Sequence, residues 1–382
     1  MSTREMFIDK SSWTVTKFGD VAIQQKVNVN REDTSLTKYV KGEHMSSEDI
    51  HLRSWGELQD EYLGPAFIRY FEEGDILYGS RRTYLKKVSI APFEGITSNT
   101  TFVIKANEEK IDKRLLPFLM LSDGFTEHSI MHSKGSVNPY INWKDLAKYE
   151  FLLPPKDQQG ELAELLWSLN DLCRLNNLVF EKTEAFKLAY TENFVHDYRM
   201  ESKISLSKAL SIPEKTKAVT IDRNKILTVR LHRKGVVRNE STHGLKLGAT
   251  TYFHRKAGQF IYGKQNLHNG ALGIVPEELD GFVSSSDVPA LDINEKIIEP
   301  QFLITYLGRT SFYKHLEKYS AGSGSKRISE KTLRSVKIDQ FSLEDQQEFL
   351  VQNNTIKKSL KSLQENISSL SDLEKSIINQ IF

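Results

Sequence analysis

The chain has 382 residues, of which 27% are charged and 39% hydrophobic, with a net charge of +2 and a mean hydropathy of −0.44. That is room for two domains, each with its own core, and no run approaches the roughly 18–20 apolar residues that a membrane span requires. The single cysteine, Cys173, excludes an internal disulfide and any multi-cysteine zinc site; together with a charged N-terminal stretch (MSTREMFIDKSSW) free of an apolar signal run, it sets the expectation of a cytoplasmic protein with no membrane contact.

In chain order, a first mixed segment carries short β-type runs such as Thr101–Ile104, interrupted by Gly, Asn and Pro. A long helix follows, about Gln158–Tyr198, in which Leu165, Leu169, Leu172, Asn176, Val179, Thr183, Phe186 and Tyr190 step by 4 and 3. A second mixed segment has its own β-type run, Lys225–Leu231. A second long helix, about Glu344–Ile381, closes the chain. Its seam runs through Phe349, Asn353, Ile356, Leu360, Leu363, Ile367, Leu370, Glu374, Ile377 and Ile381. Each helix would be about 60 Å long, too long to hide its stripe on a domain of about 150 residues. Either each lies on its own domain, or the two pair with each other.

The halves repeat. Glu73-Gly74-Asp75-Ile76-Leu77-Tyr78-Gly79 is echoed by Ala257-Gly258-Gln259-Phe260-Ile261-Tyr262-Gly263, and Gly95–Asn99 by Gly281–Ser285. Leu116-Pro117-Phe118-Leu119 answers Glu299-Pro300-Gln301-Phe302-Leu303, and Gly135-Ser136 answers Gly322-Ser323. Asp157-Gln158-Gln159 returns as Asp345-Gln346-Gln347, all in one order with an offset of 183–188 residues. The repeat points to an α+β protein of two similar domains separated by an antiparallel coiled coil of the two long helices, with pseudo-twofold symmetry. The expected boundaries are 1–156, 157–200, 201–343 and 344–382.

Three near-motifs do not develop into sites. Gly258–Gln265 is similar to a phosphate-binding loop, but Gln265 stands where Ser or Thr must hold magnesium. Asn138-Pro139-Tyr140 lacks the second proline of the adenine-gripping motif of amino-methyltransferases, and reads as a turn. His128 and His132 have ligand spacing but no third ligand near them. No nucleophile elbow is present.

Charge, by contrast, is unevenly spread. Between Arg223 and Lys264 lie ten Lys or Arg residues and one acid, Glu240, with His232, His243, His254, Tyr252 and Phe253 interleaved. In the first half, Arg81, Arg82, Lys86 and Lys87 surround Tyr84 with no acid between them. The clusters fall at equivalent repeat positions: the first follows Tyr78-Gly79, and the second runs up to and just past Tyr262-Gly263. Cations with aromatic and amide neighbours suit phosphate neutralisation and base-edge contacts; the plainer alternative is a solvated basic face. The candidate DNA-contacting residues are Ser80, Arg81, Arg82, Tyr84, Lys86 and Lys134 in the first domain. In the second they are Arg230, His232, Arg233, Lys264, Asn266, His268, Lys326 and Arg327.

On these residues the chain resembles the specificity (S) subunit of type I restriction-modification systems. The resemblance runs through Trp13–Ala22, Gly74–Val88, Ser98–Val103 and Gly135–Gln159, then Gly258–Ile274, Ser284–Leu291 and Gly322–Leu333. The second half departs from it where Phe341-Ser342-Leu343 replaces the Pro-Pro ahead of Asp-Gln-Gln, and where Leu206-Ser207-Lys208 replaces Phe18-Gly19-Asp20. The resemblance implies a non-catalytic subunit that reads a bipartite, asymmetric site in double-stranded DNA. It also implies two methyltransferase (M) subunits as partners and, in a nuclease complex, two restriction (R) subunits. No cofactor is expected on this chain; S-adenosylmethionine and ATP are expected on the partners. Two other readings remain: a diverged DNA methyltransferase or nuclease acting alone, and a nucleic-acid-binding repeat protein unrelated to methylation.

Overall fold

A computed structural model describes residues 8–30, 33–197, 202–241, 250–320 and 327–382. The chain divides into two compact units, Met1–Leu178 with Gln364–Phe382, and Val179–Leu363. The division falls inside both long helices.

The first unit opens with β1 (Thr14–Lys17), a single turn α1 (Phe18–Val21) and β2 (Ala22–Gln25), followed by β3 (Lys38–Val40), β4 (Gly56–Glu57) and β5 (Phe67–Phe71). Then come β6 (Ile76–Gly79), β7 (Val88–Ile90), β8 (Gly95–Ser98), β9 (Thr101–Ala106), α2 (Leu116–Leu121), α3 (Asp123–Met131), α4 (Trp143–Leu146), β10 (Glu150–Leu153) and the long α5 (Lys156–Asp197). One sheet has the order β2-β9-β6-β7, a second β4-β3-β8-β5, and β1 pairs with β10. The second unit repeats the scheme with β11 (Lys203–Ser205), α6 (Leu206–Ala209), β12 (Leu210–Ser211), β13 (Leu227–Val229), β14 (Val236–Arg238), β15 (Tyr252–His254), β16 (Phe260–Tyr262) and β17 (Leu272–Ile274). It continues through β18 (Val283–Ser285), β19 (Ala290–Ile293), α7 (Pro300–Leu307), α8 (Thr310–His315), α9 (Glu330–Ser335), β20 (Lys337–Asp339) and α10 (Leu343–Ile381). Its main sheet has the order β12-β19-β16-β17 and β11 pairs with β20, matching β2-β9-β6-β7 and β1-β10, whereas the place of the single sheet β4-β3-β8-β5 is taken by two separate pairs, β13-β14 and β15-β18.

The repeated glycines explain part of this likeness. Gly74 and Gly258 adopt φ values of +86° and +79° in the turns entering β6 and β16, a conformation that a side chain would strain. The Gly258–Gly263 segment thus spans a turn and a strand, not the strand-loop-helix of a phosphate-binding loop.

Each unit has its own core. In the first, Phe18, Tyr78, Phe118 and Phe125 are buried, with Phe18 and Phe125 edge to face at 4.8 Å. In the second, Phe260, Tyr262, Phe302 and Leu303 play that part, and Phe194 of α5 meets Phe349 of α10 at 4.5 Å. Each such ring contributes roughly 1.5–3 kcal/mol by leaving water.

The helices pair antiparallel. In the first unit Asn170 of α5 donates to Glu374 of α10 at 2.9 Å, and in the second Tyr190 stacks on Phe349 at 5.5 Å. The seam expected on α10 is the one found: every one of its positions is buried or half-buried. On α5 the expected seam holds in part: Leu165, Leu169, Asn176, Thr183 and Tyr190 are half-buried, but the other three positions shift by one residue. Leu172, Val179 and Phe186 are 44%, 49% and 58% exposed, while Cys173, Phe180 and Lys187 turn inward. Apolar residues lie around most of this helix, so their spacing alone leaves the register open. The polar residues decide it, because Asn170 is held between Glu374 and His51, whose Nε2 lies 2.7 Å from the Asn170 Oδ1.

Candidate nucleic-acid interface

In the first unit the β6–β7 connection docks against the loop between α3 and α4. Ile141 N–H donates to the Ser80 carbonyl at 2.9 Å, Arg82 N–H to the Pro139 carbonyl at 2.7 Å, and Arg81 bridges Tyr140 in antiparallel fashion. The Lys134–Tyr140 loop closes on itself through reciprocal backbone bonds of 2.8 and 2.9 Å. Arg82 Nε reaches Asn138 Oδ1 at 2.9 Å, so Asn138-Pro139-Tyr140 is a turn that braces a cation. Arg81, Arg82 and Tyr84 are exposed, and beside them Val137 and Tyr140 are 87% and 42% exposed. Lys134 is also exposed, 3.5 Å from Asp145. The candidate contacts of this half therefore come together on one face. Val137, Asn138 and Tyr140 belong with them, although their spacing in the sequence carried no signal for it.

Two of the first-unit candidates are engaged elsewhere. Ser80 is 5% exposed, with its hydroxyl donated to the Thr100 carbonyl. Lys86 turns to the end of α2, bonding the Leu121 carbonyl at 3.2 Å and the Asp123 carboxylate at 2.5 Å. Both position the loop rather than project from it.

The second unit builds the corresponding surface from the β16–β17 connection. Ile328 N–H donates to the Lys264 carbonyl at 2.9 Å, as Ile141 does to Ser80. Lys264 Nζ itself is drawn inward to Glu330 at 3.3 Å, a carboxylate that Lys215 also meets at 2.9 Å. Burial works to raise the Glu330 carboxyl, but the hydrogen bond from Lys215 and the two lysine charges outweigh it and hold it below the usual range. Asn266 and Arg327 are exposed, the latter 3.3 Å from Asp287. His268 is half-buried, and its Nδ1 has no hydrogen-bond partner among the described residues. Lys326, with Gly322–Ser325 and His243, lies outside the described residues.

Above this connection sits the β13–β14 hairpin. Arg230 is exposed at its start, and at its tip His232 N–H and Arg233 N–H donate to the Asn269 and Gly270 carbonyls at 2.9 Å. The Arg233 side chain packs over Gly270 and Gly308.

Backbone strain marks the same places. Among the described residues, the non-glycine positions with positive φ are Glu48, Arg82, Lys86, His232 and Arg233. All sit on, or hydrogen-bond to, the β6–β7 or β16–β17 connection, at a cost of roughly 1–2 kcal/mol each. The histidine pair is ordinary packing: His128 and His132 rings lie 4.2 Å apart and bond the Asp145 and His128 carbonyls. Among the described residues no group of three or more His, Cys, Asp or Glu side chains is placed to hold a metal, and no helix is long and apolar enough to cross a membrane.

Two duplicated units, each with a braced and strained cationic connection, find close parallels among known proteins. A family model described as the type I restriction modification DNA specificity domain matches residues 10–181. The specificity subunit of the type I restriction enzyme EcoDI of Escherichia coli is 31% identical over 186 residues, covering 44% of this chain and 40% of that subunit. The matched stretch thus spans about two fifths of that relative's length. Among solved structures, a chain from a study of complex assembly and conformational transition in the type I R-M system has a TM-score of 0.61 at 18% identity, over 97% of each chain. The HsdS subunit from Thermoanaerobacter tengcongensis gives 0.53 at 17%, again over 97% of each. The type I S subunit from M. genitalium gives 0.54 at 12%, over 99% of this chain and 98% of that one. By sequence, residues 10–181 match the type I restriction modification DNA specificity domain, and along nearly its whole length the chain shares the fold of these solved specificity subunits.

Proposed function

We propose that this chain is the DNA-reading subunit of a type I restriction-modification complex acting in the cytoplasm, with one unit for each half of a bipartite, asymmetric site. The observation that carries the reading is the pairing of equal main-sheet topology with unequal side chains. The β6–β7 and β16–β17 connections occupy the same place in their sheets, yet one presents Arg81, Arg82 and Tyr84 and the other Asn266, with Arg327 beside it. Arginine forks and amide groups pair with guanine and adenine edges, each good bidentate pair giving roughly 1–3 kcal/mol of discrimination. Lys134 and Arg230 hold phosphates and supply salt-sensitive affinity. Ser80, Lys86 and Lys264 shape the loops from behind.

The duplicated scaffold receives two methyltransferase subunits in quasi-equivalent ways and, in a nuclease complex, two restriction subunits. S-adenosylmethionine and ATP bind to those partners, and this chain performs no chemistry of its own. The test replaces Arg81 and Arg82 by Ala, assembles the complex and sequences the methylated sites. Relaxation confined to one half-site is expected; equal relaxation of both halves, or an unchanged motif, would refute the assignment. Calorimetry of the chain alone should show no stoichiometric uptake of S-adenosylmethionine.

A further inference from the structure

The two units share one more feature, and it is closed in the first and open in the second. In the first unit, a small cavity of about 230 Å³ lies where the β6–β7 connection meets the α2–α3 junction and the last turns of α10. Side chains of the unit itself fill its electrostatic needs. Lys86 bonds Asp123 at 2.5 Å, Lys375 bonds Glu48 at 2.8 Å, and Asn379 donates to Asp123 at 2.7 Å.

The corresponding place in the second unit follows from the shared hydrogen bonds. Arg233 N–H bonds the Gly270 carbonyl as Glu48 N–H bonds that of Lys86, so Arg233 stands for Glu48. The α7–α8 junction puts Thr310 where the α2–α3 junction puts Asp123. Along the helices, Gln159 and Gln346 make the same first-turn bonds, which sets an offset of 187 and places Lys187 at the position of Glu374 and Leu188 at that of Lys375. Both carboxylates that seal the first cavity are therefore missing. What remains is a groove of about 720 Å³, lined by Arg233, Lys187 and Lys357.

Those three cations have no ion-pair partner among the described residues, and Glu192 is already taken up by Ser311 and Arg309. Burial, with the neighbouring charge of Lys187, pulls the Lys357 ammonium below its ordinary range. Glu184 is the one lining carboxylate left without a partner among the described residues, which leaves an excess of positive charge. Among the lining residues is Asn353, 1% exposed, whose buried Oδ1 accepts no hydrogen bond from the described residues. An orphaned acceptor there asks for a hydrogen-bond donor. A DNA phosphodiester backbone has none to give, whereas a polypeptide carries backbone N–H groups beside its carboxylates.

We propose that this groove of the second unit binds an acidic polypeptide segment, whose carboxylates pair with Arg233, Lys187 and Lys357 while a backbone N–H bonds Asn353. The intramolecular carboxylates of the first unit are replaced by those of a partner, so the site exists once per chain. This goes beyond the DNA-reading assignment and does not depend on it.

A fluorescein-labelled hexaglutamate peptide, titrated with the full chain at low salt and followed by anisotropy, should bind saturably at one site. The double variant Arg233→Glu/Thr310→Asp, which gives the groove the first unit's own carboxylates, should weaken binding at least tenfold. Lys187→Gln/Lys357→Gln should do the same, with thermal unfolding showing that each variant is folded, and Glu184→Gln should strengthen it. Binding that does not saturate, or that survives both folded double variants, overturns the proposal. So does a random-sequence DNA duplex that loses affinity in these variants while the peptide does not, since the groove would then be a phosphate-backbone site.

Discussion

Gln159 is 1% exposed and makes three hydrogen bonds at the start of α5. Its Oε1 accepts from the Asp112 N–H at 2.6 Å, and its Nε2 donates to the Lys110 and Pro154 carbonyls at 3.1 and 2.9 Å. Gln346 repeats this at the start of α10 with the Glu299 N–H and the Ile297 and Phe341 carbonyls, at 2.8, 3.0 and 3.1 Å. The alignment of Asp-Gln-Gln with Asp-Gln-Gln matches Gln159 to Gln347; the hydrogen bonds match it to Gln346, one residue earlier. Replacing either buried glutamine by Leu strands an N–H and two carbonyls, and should cost about 3 kcal/mol in urea unfolding. Gln347→Leu, on an exposed position, should cost almost nothing. Equal losses at Gln346 and Gln347 would show that the shared bonds do not carry this stability.

On the scale of the helices, the same offset turns one pair of positions into opposites. Asn170 faces Glu374 in the first unit, while in the second the matching places hold Lys357 and Lys187. Glu374 is half-buried beside Asn170, Cys173, His51 and Asp49; burial raises its carboxyl above the ordinary 4.5, with the hydrogen bonds of Asn170 and Cys173 only partly offsetting this. The Cys173 thiol is itself pushed up to about 11, chiefly by burial and then by the Glu374 charge. A raised carboxyl binds its proton more tightly in the folded state. Its contribution is fully present below the unfolded value near 4.5 and is lost as pH rises through the higher folded one. Glu374→Gln should therefore remove that loss. Its stability relative to the natural chain should grow as pH climbs from 4 to 8 in urea titrations, and a constant difference across that range would contradict the assignment.

The whole molecule places two copies of one topology on a single chain, and evolution has freed their loops to differ. Each unit keeps its own aromatic core and its own cationic connection, so a change in one recognition loop should be read out in one half of the target. Asn266→Ala with Arg327→Ala should relax the half-site that Arg81→Ala with Arg82→Ala leaves intact, when the methylated sites of the assembled complex are sequenced. Arg230→Ala should instead flatten the salt dependence of DNA binding by about one unit of slope, as expected for one lost phosphate contact. Should both sets of changes relax the same half-site, the division of labour between units is wrong.

From the amino-acid sequence alone come the duplication, the two long helices to within two residues at each end, the seam of α10 and the strand-turn blocks around Gly74 and Gly258. These are local or periodic properties: a heptad stripe, a glycine at positive φ, a run of β-branched and aromatic residues. The position of the basic clusters beside the repeated Tyr-Gly was legible for the same reason. Tertiary structure decided the part of the α5 register that spacing misplaced, because apolar residues surround the helix and its contacts with α10, the Asn170–Glu374 bond and the packing of Tyr190 and Phe194 on Phe349, select the face. It also decided which cations are free. Arg81 and Lys86 look alike in sequence, yet one is exposed and the other is consumed by Asp123, which lies 37 residues further along the chain. Lys264 is lost to Glu330 in the same way. The open groove beside Arg233 depends on carboxylates that are absent from one unit and present in the other. That contrast becomes visible only when the hydrogen bonds show which residues of the two halves occupy the same place.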